Sequence, residues 1–183
     1  MIARIVEVAG EAELRLDATF VTLAQANADH VPTRIDFAIK PIGGARIVRP
    51  SRGLPDFLLQ RQDAYECDAP LVGRSAREVL RPVPWAALAE CLDALLPEIL
   101  PRFKNPALML CRWAFTFANR RVCSKREAGE WAVEAFGPAW RPLIQEALRR
   151  YGAGVPDDSG PDEVLREFER YCTQYVAGTP RDR

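Results

Sequence analysis

Apolar positions fall in two textures along this chain. In residues 1–50 they alternate with polar ones or cluster in short β-branched runs broken by glycine, and from residue 55 onward they recur every three to four positions. The first texture predicts strands over 2–8 and 14–23. In the second of these Leu14, Leu16, Ala18 and Phe20 share one face, while Arg15, Asp17 and Thr19 point the other way. Residues 35–39 read as a third strand, and 41–53, rich in Gly, Pro and Arg, as a loop. The second texture predicts helices over 55–67, 75–80, 84–100 (with a bend at Pro97), 105–119, 124–136, 138–151 and 161–176. Segment 105–119 is apolar nearly all round and is expected to be the central buried helix. Ser124 with Glu127 predicts a capping box, and Ser159 with Asp162 a second cap. The expected fold class is therefore α+β, a small N-terminal β region over 1–50 followed by an all-α bundle over 55–176. Two or three strands with no covering helix make a poor independent sheet, so the chain reads as starting inside a domain.

Composition narrows the function classes. The 183 residues carry 25 Lys+Arg against 25 Asp+Glu, so no whole-molecule field points to nucleic acid or a membrane surface. No run approaches the ~18 consecutive apolar residues of a spanning helix, and no signal-peptide pattern opens the chain. The five cysteines form no CxxC pair and sit mostly in helical apolar patterns, which reads as buried free thiols in a reducing cytoplasm. The single histidine, His30, completes no metal or nucleophile constellation.

Any anion site must then be local, and one segment suggests it. Arg112 interrupts the apolar run Leu108-Met109-Leu110-Cys111-Arg112-Trp113-Ala114-Phe115, and a buried guanidinium needs an anionic or carbonyl partner. Lys125 opens the next helix, where free N–H groups and the macrodipole already favour an anion. Tyr151 ends the helix after that. Helices joined by short loops pack as antiparallel neighbours, so the three residues could line one cleft. Equally, Arg112 could pair internally with Asp56 or Glu130, leaving a purely structural bundle.

A family resemblance favours the cleft. The Pro55-Asp56 helix start, Gly73 before Glu78-Val79-Leu80-Arg81-Pro82-Val83-Pro84, the run from Asn105 to Arg112, Ser124-Lys125 with Glu130-Trp131-Ala132, and Pro142 through Tyr151 resemble the C-terminal helical domain of aminoglycoside nucleotidyltransferases of the streptomycin/spectinomycin 3''-adenylyltransferase type. From Asn105 to Tyr151 the match needs no gap. Those enzymes transfer AMP from ATP to an aminoglycoside hydroxyl. The resemblance implies that Arg112 and Lys125 hold the triphosphate, that Tyr151 lines the nucleotide site and that Asp56 contacts it from the first bundle helix. It also implies that Asp17 sits where the family has its general-base carboxylate, usually a glutamate, on the last strand of the nucleotidyltransferase domain, and that the cofactors are ATP and Mg²⁺. The family's Gly-Ser phosphate motif and Asp-x-Asp metal pair are absent from the 16 residues before Asp17, and no Trp precedes Trp85. Before Asn105 the sequence is Pro101-Arg102-Phe103-Lys104, where the family is acidic. The expectation is a partial nucleotidyltransferase, weak or inactive alone; the alternative is a non-catalytic helical module that binds a nucleotide or a partner.

Overall fold

A computed structural model of the chain describes residues 18–20, 22–30, 37–41, 45–48, 56–68, 74–155 and 162–179, with backbone alone for 18–20, 37–41 and 45–48. It divides into two compact units, 1–83 and 84–183.

The α+β expectation is corrected by what the described residues do. Where side chains are described, about 73% of residues are helical and none lies in a strand. The backbone of Ala18–Phe20 (β1), Phe37–Pro41 (β2) and Ala45–Val48 (β3) pairs as a short antiparallel meander, with Thr19 opposite Ala38 and Ile39 opposite Ile47. That is no remnant of a nucleotidyltransferase domain. The strand expected over 14–23 stops early because Thr22 starts a helix: its hydroxyl accepts from Gln25 N at 3.2 Å while Gln25 Oε1 accepts from Thr22 N at 2.8 Å. This reciprocal capping box opens α1 (Leu23–Ala26). The strand expected over 2–8, and Asp17, lie outside the described residues.

In the 1–83 unit, α2 (Phe57–Cys67) ends at Asp68 in the left-handed conformation, and Ser75 caps the short α3 (Ala76–Val79). Arg61 is only 4% exposed and holds this unit together. Its Nη1 donates to the carbonyls of Ala26 (3.0 Å) and Ala28 (2.6 Å), and its Nη2 to Asp29 Oδ1 and the Pro82 carbonyl, both at 3.3 Å. Carbonyls just past a helix C-terminus have no intrahelical donor, so the guanidinium supplies what α1 cannot. Asn27 reinforces the link, donating to Val79 O at 3.0 Å and accepting from Arg81 N at 2.7 Å.

The described residues of the 84–183 unit form a bundle of five helices: α4 (Trp85–Arg102), α5 (Pro106–Asn119), α6 (Lys125–Ala135), α7 (Arg141–Gly152) and α8 (Glu163–Ala177). Helix α5 is the central element, as its pattern predicts. Every residue from Pro106 to Phe117 is buried except Arg112, and α4, α6, α7 and α8 all pack on it. A helix apolar all round can satisfy no other position. Trp113 Nε1 donates to the Leu92 carbonyl at 2.9 Å, so its polar atom is satisfied inside the core. Where α6, α7 and α8 meet, Trp131, Phe136, Trp140, Phe168, Tyr171 and Tyr175 pack edge-to-face or tilted. Asp162 caps α8, accepting from Leu165 N at 2.8 Å, and Ser159 lies outside the described residues. Helix α4 runs through both Pro97 and Pro101. Among the described residues no helix is long and apolar enough to cross a membrane.

Cys91, Cys111, Cys123 and Cys172 are buried and Cys67 is exposed. Burial pushes the Cys111 and Cys172 thiols well above their ordinary range, so these groups pack rather than react. Titration of the native protein with an aromatic disulfide should therefore modify one thiol rapidly, Cys67, and all five only in denaturant. A second fast thiol would contradict this burial.

Between α4 and α8 lies an open groove of about 320 Å³ lined by Leu96, Glu169, Arg170, Thr173 and Gln174. Partial burial raises the Glu169 carboxyl above its usual range. A raised folded-state value contributes stability below the ordinary carboxylate range that is lost as pH rises through the folded value. Glu169→Gln should thus be more stable than wild type near neutrality, by about 0.5 kcal/mol or less because solvent still screens the group. The advantage should vanish below about pH 4. Thermal midpoints of the two proteins that stay equally spaced from acid to neutral pH would refute it.

Candidate functional site

The site expected from the sequence is built on three consecutive helices, α5, α6 and α7, and one glycine fixes their register. Gly129 of α6 has no side chain, and an ideal Cβ there would lie 2.9 Å from Leu108 Cδ2 on α5 and 2.8 Å from Leu148 Cδ2 on α7. Gly129 is the point where α6 meets both neighbours. One turn from it toward the start of α6 lies Lys125. One turn from Leu108 toward the end of α5, on the same face, lies Arg112. One turn from Leu148 toward the end of α7 lies Gly152, preceded by Tyr151. The antiparallel order of α6 and α7 is fixed independently, because Arg126 Nη2 lies 3.5 Å from the Cβ position of Gly152. The structure thus brings Arg112, Lys125 and Tyr151 to the same end of this three-helix layer.

The three residues differ in burial. Arg112 is the one break in the buried surface of α5 from Pro106 to Phe117, and it is half-buried rather than engulfed. Its Nε and Nη2 are out of solvent contact, and its carbonyl accepts from Thr116 Oγ1 at 2.8 Å. Among the described residues the nearly fully buried arginine is Arg61, in the 1–83 unit. A signal for it was present in the sequence: position 61 continues the face of Phe57 and Leu58 at helical spacing.

Lys125 is half-buried at the first position of α6. Ser124 caps this helix, its Oγ accepting from Glu127 N at 3.1 Å, but Glu127 turns outward to pair with Arg121 instead of closing the box. Two cations in a first turn oppose the macrodipole. For Arg126 the geometry offsets this, since its guanidinium lies against the last turn of α7, the negative end of that helix. Arg120 and Arg121, in the α5–α6 connection, stand over the rings of Trp85 (5.3 Å) and Phe115 (4.7 Å), which adds to the positive character of this end.

Tyr151 is 39% exposed at the end of α7, which leaves its ring accessible. Asp56 belongs to the 1–83 unit. It stands at the N-cap of α2, and its Oδ2 accepts from Gln60 Nε2 at 2.7 Å. Asp17 lies outside the described residues. At the end of α4, Arg102 Nη1 pairs with Glu98 Oε2 at 3.0 Å, and Lys104 is exposed. Among the described residues no group of three or more His, Cys, Asp or Glu could hold a metal ion.

Several known proteins resemble this chain. The model of the family described as aminoglycoside adenylyltransferase, C-terminal domain, matches residues 78–175, more than half of the chain. An aminoglycoside (3'') (9) adenylyltransferase of Escherichia coli is 29% identical over 124 residues, and one of Klebsiella pneumoniae 28% over 122. Each alignment covers 63% of this chain and 47% of the relative, so the chain spans about half the length of these curated relatives. Among solved structures, the spectinomycin adenyltransferase AAD(9) from Enterococcus faecialis, solved with ATP and spectinomycin, superposes with a TM-score of 0.65 at 16% identity. The superposition covers 88% of this chain and 68% of that one.

Proposed function

The chain belongs to the family defined by the aminoglycoside adenylyltransferase C-terminal domain, and from that membership we propose that it is the nucleotide-holding part of an aminoglycoside O-nucleotidyltransferase. ATP is the nucleotide and a hydroxyl of an aminoglycoside the acceptor. The observation that carries this reading is the common level of Arg112, Lys125 and Tyr151 at one end of the α5–α6–α7 layer, set by the close approach at Gly129.

The chemistry suits these groups. In AMP transfer the acceptor oxygen attacks the α-phosphorus, the bond from that phosphorus to the β-phosphate oxygen breaks, and pyrophosphate leaves. Arg112 and Lys125 neutralise the charge that grows on the leaving group, from a partly buried position where their field is screened less than in water. The Tyr151 ring packs against the nucleoside. The family resemblance assigns a nucleotide contact to Asp56 and removal of the proton from the attacking hydroxyl to Asp17. Mg²⁺, where bound, would supply neutralisation of the triphosphate charge. This chain offers no Asp-x-Asp pair and no suitable cluster among its described residues, so no step above runs through a metal. Just before Asn105, where the resemblance implies an acidic acceptor contact, Arg102 pairs with Glu98 and Lys104 is exposed. An acceptor with few ammonium groups is therefore held better than a polycation.

A second reading is favoured by the missing Gly-Ser and Asp-x-Asp motifs: a module that binds nucleotide without transferring AMP. Calorimetry with MgATP, followed by an AMP-transfer assay on spectinomycin and streptomycin, separates the two. Binding with transfer supports the enzyme; binding without it supports the module; a folded protein that binds no nucleotide refutes both.

A further inference from the structure

Glycine in a helix interior costs roughly 1 kcal/mol relative to alanine, so its presence at position 129 calls for a reason. Backbone conformation is not that reason, since Gly154 is the glycine with positive φ among those described. The reason is proximity. Non-bonded carbons rest about 3.5–4.0 Å apart, whereas a Cβ at 129 would meet Leu148 Cδ2 at 2.8 Å, Leu108 Cδ2 at 2.9 Å and Leu148 Cγ at 3.0 Å. Leu108 is wholly buried, so its side chain turns only by displacing its core neighbours. Leu148 is half-buried and can yield only on its own side. A side chain at 129 therefore requires the two leucines to turn against their packing or α6 to move away from α5, from α7, or from both.

We infer that Gly129 is a positioning residue for the phosphate-binding end of this domain: the absence of its side chain sets the separations of α5, α6 and α7, and with them the mutual placement of Arg112, Lys125 and Tyr151 one turn away. The inference rests on the reading of those three residues given under Proposed function. Gly129 itself touches no ligand. Groups that share one phosphate chain must be held to within about 0.5 Å, so a small change in helix separation is felt in affinity before it is felt in the fold.

The test is a cycle of wild type, Gly129→Ala, Leu148→Ala and the double variant, read by MgATP affinity well below the unfolding temperature, with circular dichroism to verify helix content. Gly129→Ala should keep its helix signal and weaken ATP on the order of tenfold. Gly129→Ala with Leu148→Ala, which removes the atoms that the new methyl meets, should recover most of that loss. A merely structural role predicts no such rescue of affinity in a protein that is already folded. If Gly129→Ala fails to fold, the double variant decides: near-wild-type affinity supports the inference and lost affinity overturns it. A folded wild type that binds no ATP removes the proposed function and this inference together. Wild-type binding with an unchanged Gly129→Ala, or with no rescue in the double variant, overturns the inference alone.

Discussion

Replacing Arg112 and Lys125 together by alanine should abolish MgATP binding while leaving the helical fold intact. A charge-assisted contact to phosphate contributes about 1.5–3 kcal/mol, so losing two costs about 3–6 kcal/mol, or roughly two to four decades in affinity. A micromolar ligand then falls out of calorimetric range. The fold should survive because neither side chain is fully buried, and alanine suits both helices. Arg112→Lys should fall between, keeping the charge but losing the planar fork that can bind two phosphate oxygens at once. Two results would count against the assignment. Unchanged affinity in the double variant would move the phosphate site elsewhere, with the neighbouring Arg120, Arg121 and Arg126 the next to test. Loss of binding accompanied by loss of helix content would make Arg112 a structural residue.

The second large effect lies in the 1–83 unit. Arg61→Ala should destabilise it by about 3 kcal/mol, seen as a lower urea midpoint for this unit. The variant strands the part-buried carbonyls of Ala26 and Ala28, each of which costs about 1–3 kcal/mol without a donor, whereas Pro82 is exposed and its carbonyl regains water. The ion pair to Asp29 matters less, since the Asp29 side chain is 61% exposed and regains its hydration. Asp29→Asn should therefore cost under about 1 kcal/mol. Arg61→Lys should recover less than half of the loss, because one ammonium cannot reach acceptors that two guanidinium nitrogens now span. An Arg61→Ala protein within about 1 kcal/mol of wild type would mean that water replaces the guanidinium at these carbonyls.

The bundle was legible from local pattern alone. Helix α5 announced itself by being apolar on every side, α6 by Ser124 before its first turn, and α2 by its start after Pro55-Asp56. Each of these signals acts over three or four residues, the range within which backbone hydrogen bonds and caps form. The misjudged β region shows the complementary limit. Alternation over 14–23 was read as a strand, although Thr22 and Gln25 carried an equally local helix-start signal that won. The resemblance was legible too, because Asn105 to Tyr151 keeps residue types in register without a gap.

What the tertiary structure decided concerns residues that meet from different elements. Nothing around Arg112 in the sequence says that it is only half-buried. Nor does the sequence around Arg61 reveal that carbonyls more than thirty positions earlier would surround it. Gly129 reads as a poor helix residue until Leu108 and Leu148 stand against it. The sequence by itself determined the helices of the 84–183 unit and the family to which they belong. Only the packing decided which arginine is enclosed and how Arg112, Lys125 and Tyr151 come level. Helix formation is settled by neighbours along the chain, whereas burial, close approach and the meeting of charges are settled by neighbours in space.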